Sequence, residues 1–150
     1  MHLERYEFKV KDNRYTFFSQ GPKGEIEKAV LYNKLSEYQP LYGLSFGDWK
    51  EKVNRIDDRV VTNNGDRQKI LATVAATVVN FSMQNPDAFI FAVGSTSART
   101  RLYQMNIASN LTFIHPLFEI EGFIRNNWQS FQTGCNYSAF LLKPRNFLSS

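Results

Sequence analysis

Between Asp66 and Gln84 the apolar residues Ile70, Leu71, Val74, Ala75, Val78 and Phe81 recur three and four positions apart. That spacing gathers side chains on one broad face of a helix, and a helix of this kind lies on a sheet. The run ATVAATVV is rich in β-branched residues and resembles a strand locally. Its length, and the capping candidates Thr62-Asn63-Asn64 ahead of it, favour helix. Asn85-Pro86 ends it, because proline disfavours a helical residue before it.

The sequence ahead of this helix supplies the sheet. Tyr15–Gln20 and Ile26–Leu31 flank GPKG, whose Gly21-Pro22 and Gly24 give turn geometry, so the two segments are expected to form a β-hairpin. A third strand is expected over Leu41–Phe46, ending at Gly47-Asp48, and a short fourth over Ile56–Val61. After the helix, Ala88–Val93 is a continuous apolar run bounded by Pro86 and Gly94 and reads as a central strand. A second helix is expected over Ser97–Asn110. Strands over Leu117–Ile124 and Tyr137–Lys143 follow and are expected to pair. The order is about ββββαβαββ, an α+β fold in which two helices pack on one face of a mainly antiparallel sheet.

At 150 residues without a long Gly/Ser- or Pro-rich break, the chain is expected to be a single α+β domain over 1–150. A hydrophobic share of 43% against 21% charged residues gives no reason to expect disorder. The net charge of +4 permits attraction to phosphates without requiring it, and its basic residues form no run of five or six. Nucleic acid is therefore disfavoured as a partner, as is a polybasic membrane patch. MHLERYEFKV has no apolar signal core, and no apolar run reaches the roughly 18 residues of a spanning helix, so the expected setting is the cytoplasm, away from membranes. With Cys135 as the one cysteine and only His2 and His115 to assist it, no metal site is expected. Nothing calls for a cofactor.

The stretch FAVGSTSARTRLYQMN, Phe91–Asn106, runs from a strand through Gly94-Ser95-Thr96 into a helix. Such a turn presents free backbone N–H groups and the positive end of the helix dipole, which suits an anion. With Thr96 as N-cap, Arg99 and Arg101 fall at the third and fifth helical positions, and a cation there opposes the dipole by about 0.3–1 kcal/mol. A bound phosphate or carboxylate would offset that, gripped by planar guanidinium forks. Tyr103 and Asn106 would add secondary contacts. The helix would turn Ala98, Leu102, Met105 and Ser109 to its apolar face and Arg99, Tyr103, Asn106 and Asn110 to an adjoining polar one. The structural alternative is that Ser95 or Thr96 simply caps the helix while the arginines pair with Glu119 or Glu121. GSTSARTR lacks the spacing and the lysine of a Walker loop.

A second polar cluster, IDDRVVTNNGDR, precedes the first helix. Asn63, Asn64 and Gly65 suit a turn with positive φ, and Asp66 in the first helical turn agrees with the dipole. Should the helices pack side by side, Asn64, Asp66 and Arg67 come beside the Arg99 turn, where Asp66 orients an arginine or acts as a base. Cys135 lacks a His/Asp partner and reads as a structural thiol. Trp49 and Trp128 read as partly buried anchors, although an exposed aromatic can stack on a base or meet a protein.

The segments FGDW (Phe46–Trp49), TNNGDR (Thr62–Arg67), ATVAATV (Ala72–Val78) and GSTSARTRLYQ (Gly94–Gln104) resemble a family of similarly short bacterial proteins of unknown function. The resemblance covers most of the chain and implies an α+β fold and a bacterial cytoplasmic protein. It carries over no catalytic residue. Two functions remain in view: a protein that binds a phosphate-bearing small molecule or nucleotide at Gly94-Ser95-Thr96 with Arg99 and Arg101, or a protein-interaction module. The latter includes a homodimer or a component of a toxin–antitoxin or defence pair.

Overall fold

The GPKG hairpin forms as its glycines require: β2 (Arg14–Gly21) returns through Pro22-Lys23 into β3 (Gly24–Lys34), with Gly24 at φ +87. A short strand missed in the sequence, β1 (Lys9–Lys11), pairs outside β2, and β4 (Leu41–Lys50) pairs with β3 on the other side. The structure is a computed structural model and describes residues 4–57 and 62–145.

β4 does not stop at Gly47-Asp48. It runs through them because Asp48 has a partner directly across the ladder in Lys28. A 3-10 turn over Glu51–Val53 then leads to β5 (Arg55–Ile56), which folds back on the end of β4. Of the expected fourth strand over Ile56–Val61, Ile56 lies in β5 and Asp57 in no strand, and residues 58–61 lie outside the described part.

The first helix, α1 (Arg67–Gln84), buries all six residues of the predicted apolar face. Its cap differs from expectation. Asp66 occupies the N-cap position but makes no side-chain cap hydrogen bond, and neither Thr62 nor Asn64 caps it, because both side chains are drawn to the sheet instead. β6 (Phe89–Ala92) follows α1 and lies parallel to the first half of β4. After α2 (Ser97–Ser109) and one turn of helix, α3 (Leu111–Ile114), the chain forms β7 (Phe118–Ile124), β8 (Asn127–Ser130) and β9 (Ala139–Pro144). β7 and β9 pair as expected. β1, α3 and β8 are additional to the elements expected from the sequence.

Among the described residues the sheet has nine strands in the order β1-β2-β3-β4-β6-β9-β7-β8, with β5 beside β4. All neighbours are antiparallel except β4 and β6, so the fold is α+β as the sequence implied. The helices cover one face, where Tyr15, Phe17, Val30, Tyr32, Leu44, Phe46, Ile90 and Phe140 meet Ile70, Val74, Val78, Phe81 and Ile107. A smaller cluster of Ala29, Trp49 and Ile56 lies on the other face, with the Arg14 guanidinium 4.5 Å above the Trp49 ring.

The second helix sits the other way round from its predicted faces. Arg99, Tyr103, Asn106 and Asn110, expected to form a polar flank, are buried, whereas Ala98 and Ser109 are exposed. Hydrogen bonds make this possible. β6 pairs with β4 only as far as Leu44, and beyond it the Phe46 N–H donates to the Tyr103 hydroxyl (3.0 Å) while the Phe46 carbonyl accepts from Arg99 Nη1 (2.6 Å). The side chains of α2 therefore do for the edge of β4 what a strand does elsewhere. Deeper along the helix, Asn110 Nδ2 donates to the carbonyls of Leu71 and Asn106, tying α2 to α1.

Candidate functional site

On the helix-facing side of the sheet, the apolar rows change to polar residues toward the end where both long helices begin. Beyond Phe17, Val30 and Phe46 come Ser19, Lys28 and Asp48, all buried. Buried polar groups must find partners, and here they find them in the segment leading into α1. Lys28 Nζ donates to Asp48 Oδ1 (2.5 Å) and to the Thr62 carbonyl (2.9 Å), and the Thr62 hydroxyl donates to Asp48 Oδ2 (2.6 Å). Asn64, 1% exposed, accepts from the Lys23 amide and donates to the Gly24 carbonyl. It clamps the β2–β3 turn. Only Gly65 in this stretch takes the positive φ, at +76, and its amide donates to Asn63 Oδ1.

Asp66 turns inward. Its Oδ2 accepts from the Tyr6 hydroxyl and from Ser19 Oγ, both at 2.5 Å, while Oδ1 is buried with no hydrogen-bond partner among the described residues. Burial, followed by the bond to Asp66, raises the Tyr6 phenol above its usual value. The carboxylate thus fastens the N-terminal segment to the start of α1, and the Tyr6 amide adds a bond to Thr73 Oγ1 at 2.9 Å.

Between the beginnings of α1 and α2 lies a cleft of about 290 Å³. Asp66 and Arg67 line it from α1 and Thr96 and Arg99 from α2, with Thr62 and Asn63 on the connecting segment and Phe46, Ile70, Leu71 and Leu102 behind them. The expectation that the two polar clusters come together is met by these four residues. The Arg67 side chain is exposed, and no hydrogen bond or ion pair joins it to another described residue. Arg99 is 6% exposed, and its guanidinium also donates to the Asp57 carbonyl.

The other candidates lie elsewhere. Asn64 and Tyr103 are buried in the scaffold, and Arg101 is exposed outside the cleft lining. Thr96 is the N-cap, as the sequence implied, accepting from the Arg99 amide at 3.2 Å. Gly94 donates its N–H to Thr100 Oγ1 (3.0 Å), so the Gly94-Ser95-Thr96 turn closes onto its own helix. Neither Glu119 nor Glu121 serves the arginines as the structural alternative supposed: Glu121 pairs with Lys143 at 2.9 Å, and Arg99 is held by backbone carbonyls. What the sequence did not signal was the Lys28–Asp48 pair. Lys28 stands two residues from Val30 and Asp48 two from Phe46, so strand periodicity alone could have placed both on the core face.

Among the described residues no group of three or more His, Cys, Asp or Glu side chains could hold a metal ion, and no helix is long and apolar enough to cross a membrane. The chain belongs to a family of unknown function (DUF6934), whose family model matches residues 2–145. No curated protein and no solved structure matches it.

Proposed function

We propose that this chain is a single-domain protein of the bacterial cytoplasm that binds a small anionic ligand in the cleft between the N-termini of α1 and α2. The observation that carries the reading is the meeting of two helix starts at one cavity, with the exposed Arg67 at its rim. The first amides of each helix have no intrahelical acceptor, and the two dipoles add at the opening. Arg67 supplies an exposed cation that offsets the Asp66 carboxylate in the same lining, Thr96 a hydroxyl, and Arg99 a second guanidinium whose position is set by the Phe46 and Asp57 carbonyls. In this reading Arg67 takes the role that the sequence suggested for Arg101.

A thermal-shift screen of phosphate, nucleotides and sugar phosphates tests it. A ligand at about 100 times its dissociation constant adds roughly 2.7 kcal/mol, which moves the midpoint of a chain this size by several degrees. The shift should shrink in Arg67→Ala and persist in Arg101→Ala. A shift lost equally in both variants would move the site away from the cleft.

A protein-interaction role draws support from a separate observation: Trp128 is 41% exposed on β8, at the edge of the sheet, against Phe91 and Phe123. A concentration-dependent mass that Trp128→Ser abolishes would favour it.

A further inference from the structure

The lining of the cleft changes character within one helical turn. On α1, Asp66 and Arg67 are followed one turn later by Ile70 and Leu71, and on α2, Thr96 and Ala98 are followed by Leu102. Because residues three and four apart stand one above the other on a helix, the polar groups mark the mouth. The apolar groups lie about 5.4 Å further along both helices, and Phe46 on β4 adds an aromatic wall to the same cleft. An inorganic oxyanion at the mouth would leave this part of the cleft unused. At about 290 Å³ the space equals roughly ten water molecules' share of liquid and nears the lower end of ordinary ligand sites.

Resting on the anion reading above, we propose that the ligand is an amphipathic organic oxyanion. Its carboxylate or phosphomonoester head lies between the two helix starts beside Arg67, and its compact apolar body, about the size of one six-membered ring, lies against Phe46, Ile70 and Leu102. The head alone is held by charge and amides open to solvent, so it binds weakly. The body adds the burial of several carbons, each contributing favourably once removed from water. Ala98 is exposed and lines the cleft one turn before Leu102, so a large side chain there narrows the way to the apolar part.

Isothermal titration of the whole chain with phenyl phosphate, phenylacetate, inorganic phosphate, acetate and benzyl alcohol tests this. The expected result is that phenyl phosphate binds at least about tenfold more tightly than inorganic phosphate, and phenylacetate likewise against acetate. Ala98→Trp should shrink that preference, bringing the affinities for phenyl and inorganic phosphate together. Equal affinity for phenyl and inorganic phosphate would overturn the amphipathic assignment while leaving the anion site standing. Benzyl alcohol binding as tightly as phenyl phosphate, or no binding by any of the five, would overturn the anion site itself.

Discussion

Lys28 and Asp48 stand directly opposite one another on β3 and β4, and their side chains meet at 2.5 Å with Lys28 fully buried. The pair also holds Thr62, through its carbonyl and its hydroxyl, so one ion pair connects the sheet to a wall of the cleft. Removing one member of a buried pair strands the other charge, which typically costs about 3–5 kcal/mol, whereas replacing both with apolar residues of similar size is often neutral. Lys28→Met and Asp48→Leu should each lower the urea midpoint sharply, and the double variant should recover most of the loss. A double variant as unstable as the singles would mean that the bonds to Thr62 dominate.

Arg99 and Arg101 should separate in stability measurements. Arg99→Ala leaves the Phe46 carbonyl buried without its donor, and a stranded buried polar group costs about 1–3 kcal/mol. Arg101 is exposed, and Arg101→Ala should stay within about 0.5 kcal/mol of wild type. Arg99→Lys should not restore the loss, because one ammonium cannot reproduce a fork that spans the Phe46 and Asp57 carbonyls. Thermal denaturation of the three variants checks this.

Gly94 is needed for close approach. A Cβ built there would lie 2.4 Å from the Thr100 amide nitrogen and 2.5 Å from Arg99 Cβ, so the turn and the helix would have to part. Gly94→Ala should cost about 1–3 kcal/mol, in the range of overpacked sites, and lower the midpoint by a few degrees. A Gly94→Ala protein as stable as wild type would show that the turn adapts freely.

Alkali should weaken the fold through its buried phenols. Tyr32 is wedged between Tyr15 and Phe81 with its hydroxyl 2.9 Å from Thr77 Oγ1, and burial raises its pKa well above the ordinary value, as burial also raises that of Tyr15. The folded state holds these protons more tightly than the unfolded chain. Their contribution to stability is therefore complete below about pH 10, the value of a free phenol, and is lost as pH climbs above it. Urea midpoints measured from pH 8 to 11 should fall steeply for wild type and less steeply for Tyr32→Phe.

The parts of this fold that were legible in the sequence are those where one local signal had no competitor. The α1 stripe, the GPKG hairpin and the β6 run are of this kind, and each formed where its residues indicated. β1 and β8 are three and four residues long and almost wholly exposed, so neither carries a buried alternation to betray it. α2 departs from its expected faces for a different reason: amphipathicity assumes that polar side chains seek water. Arg99 and Tyr103 instead meet backbone groups of Phe46 that β6 is too short to reach, a tertiary circumstance that no local pattern encodes. The candidate site was half legible on the same grounds. Asp66, Arg67, Thr96 and Arg99 converge because both helices start at one end of the sheet, but Asn64 was claimed by the hairpin turn and Arg101 by the geometry of its helix.

The most direct test of the account is an amide-resolved NMR titration of the whole chain with phenyl phosphate. We expect saturable shifts at Gln68 and Lys69 on α1 and at Ser97 and Ala98 on α2, with the affinity falling about tenfold in Arg67→Ala, the loss of one charged contact. Shifts confined to the opposite face of the sheet, or an affinity unchanged by the loss of Arg67, would contradict it.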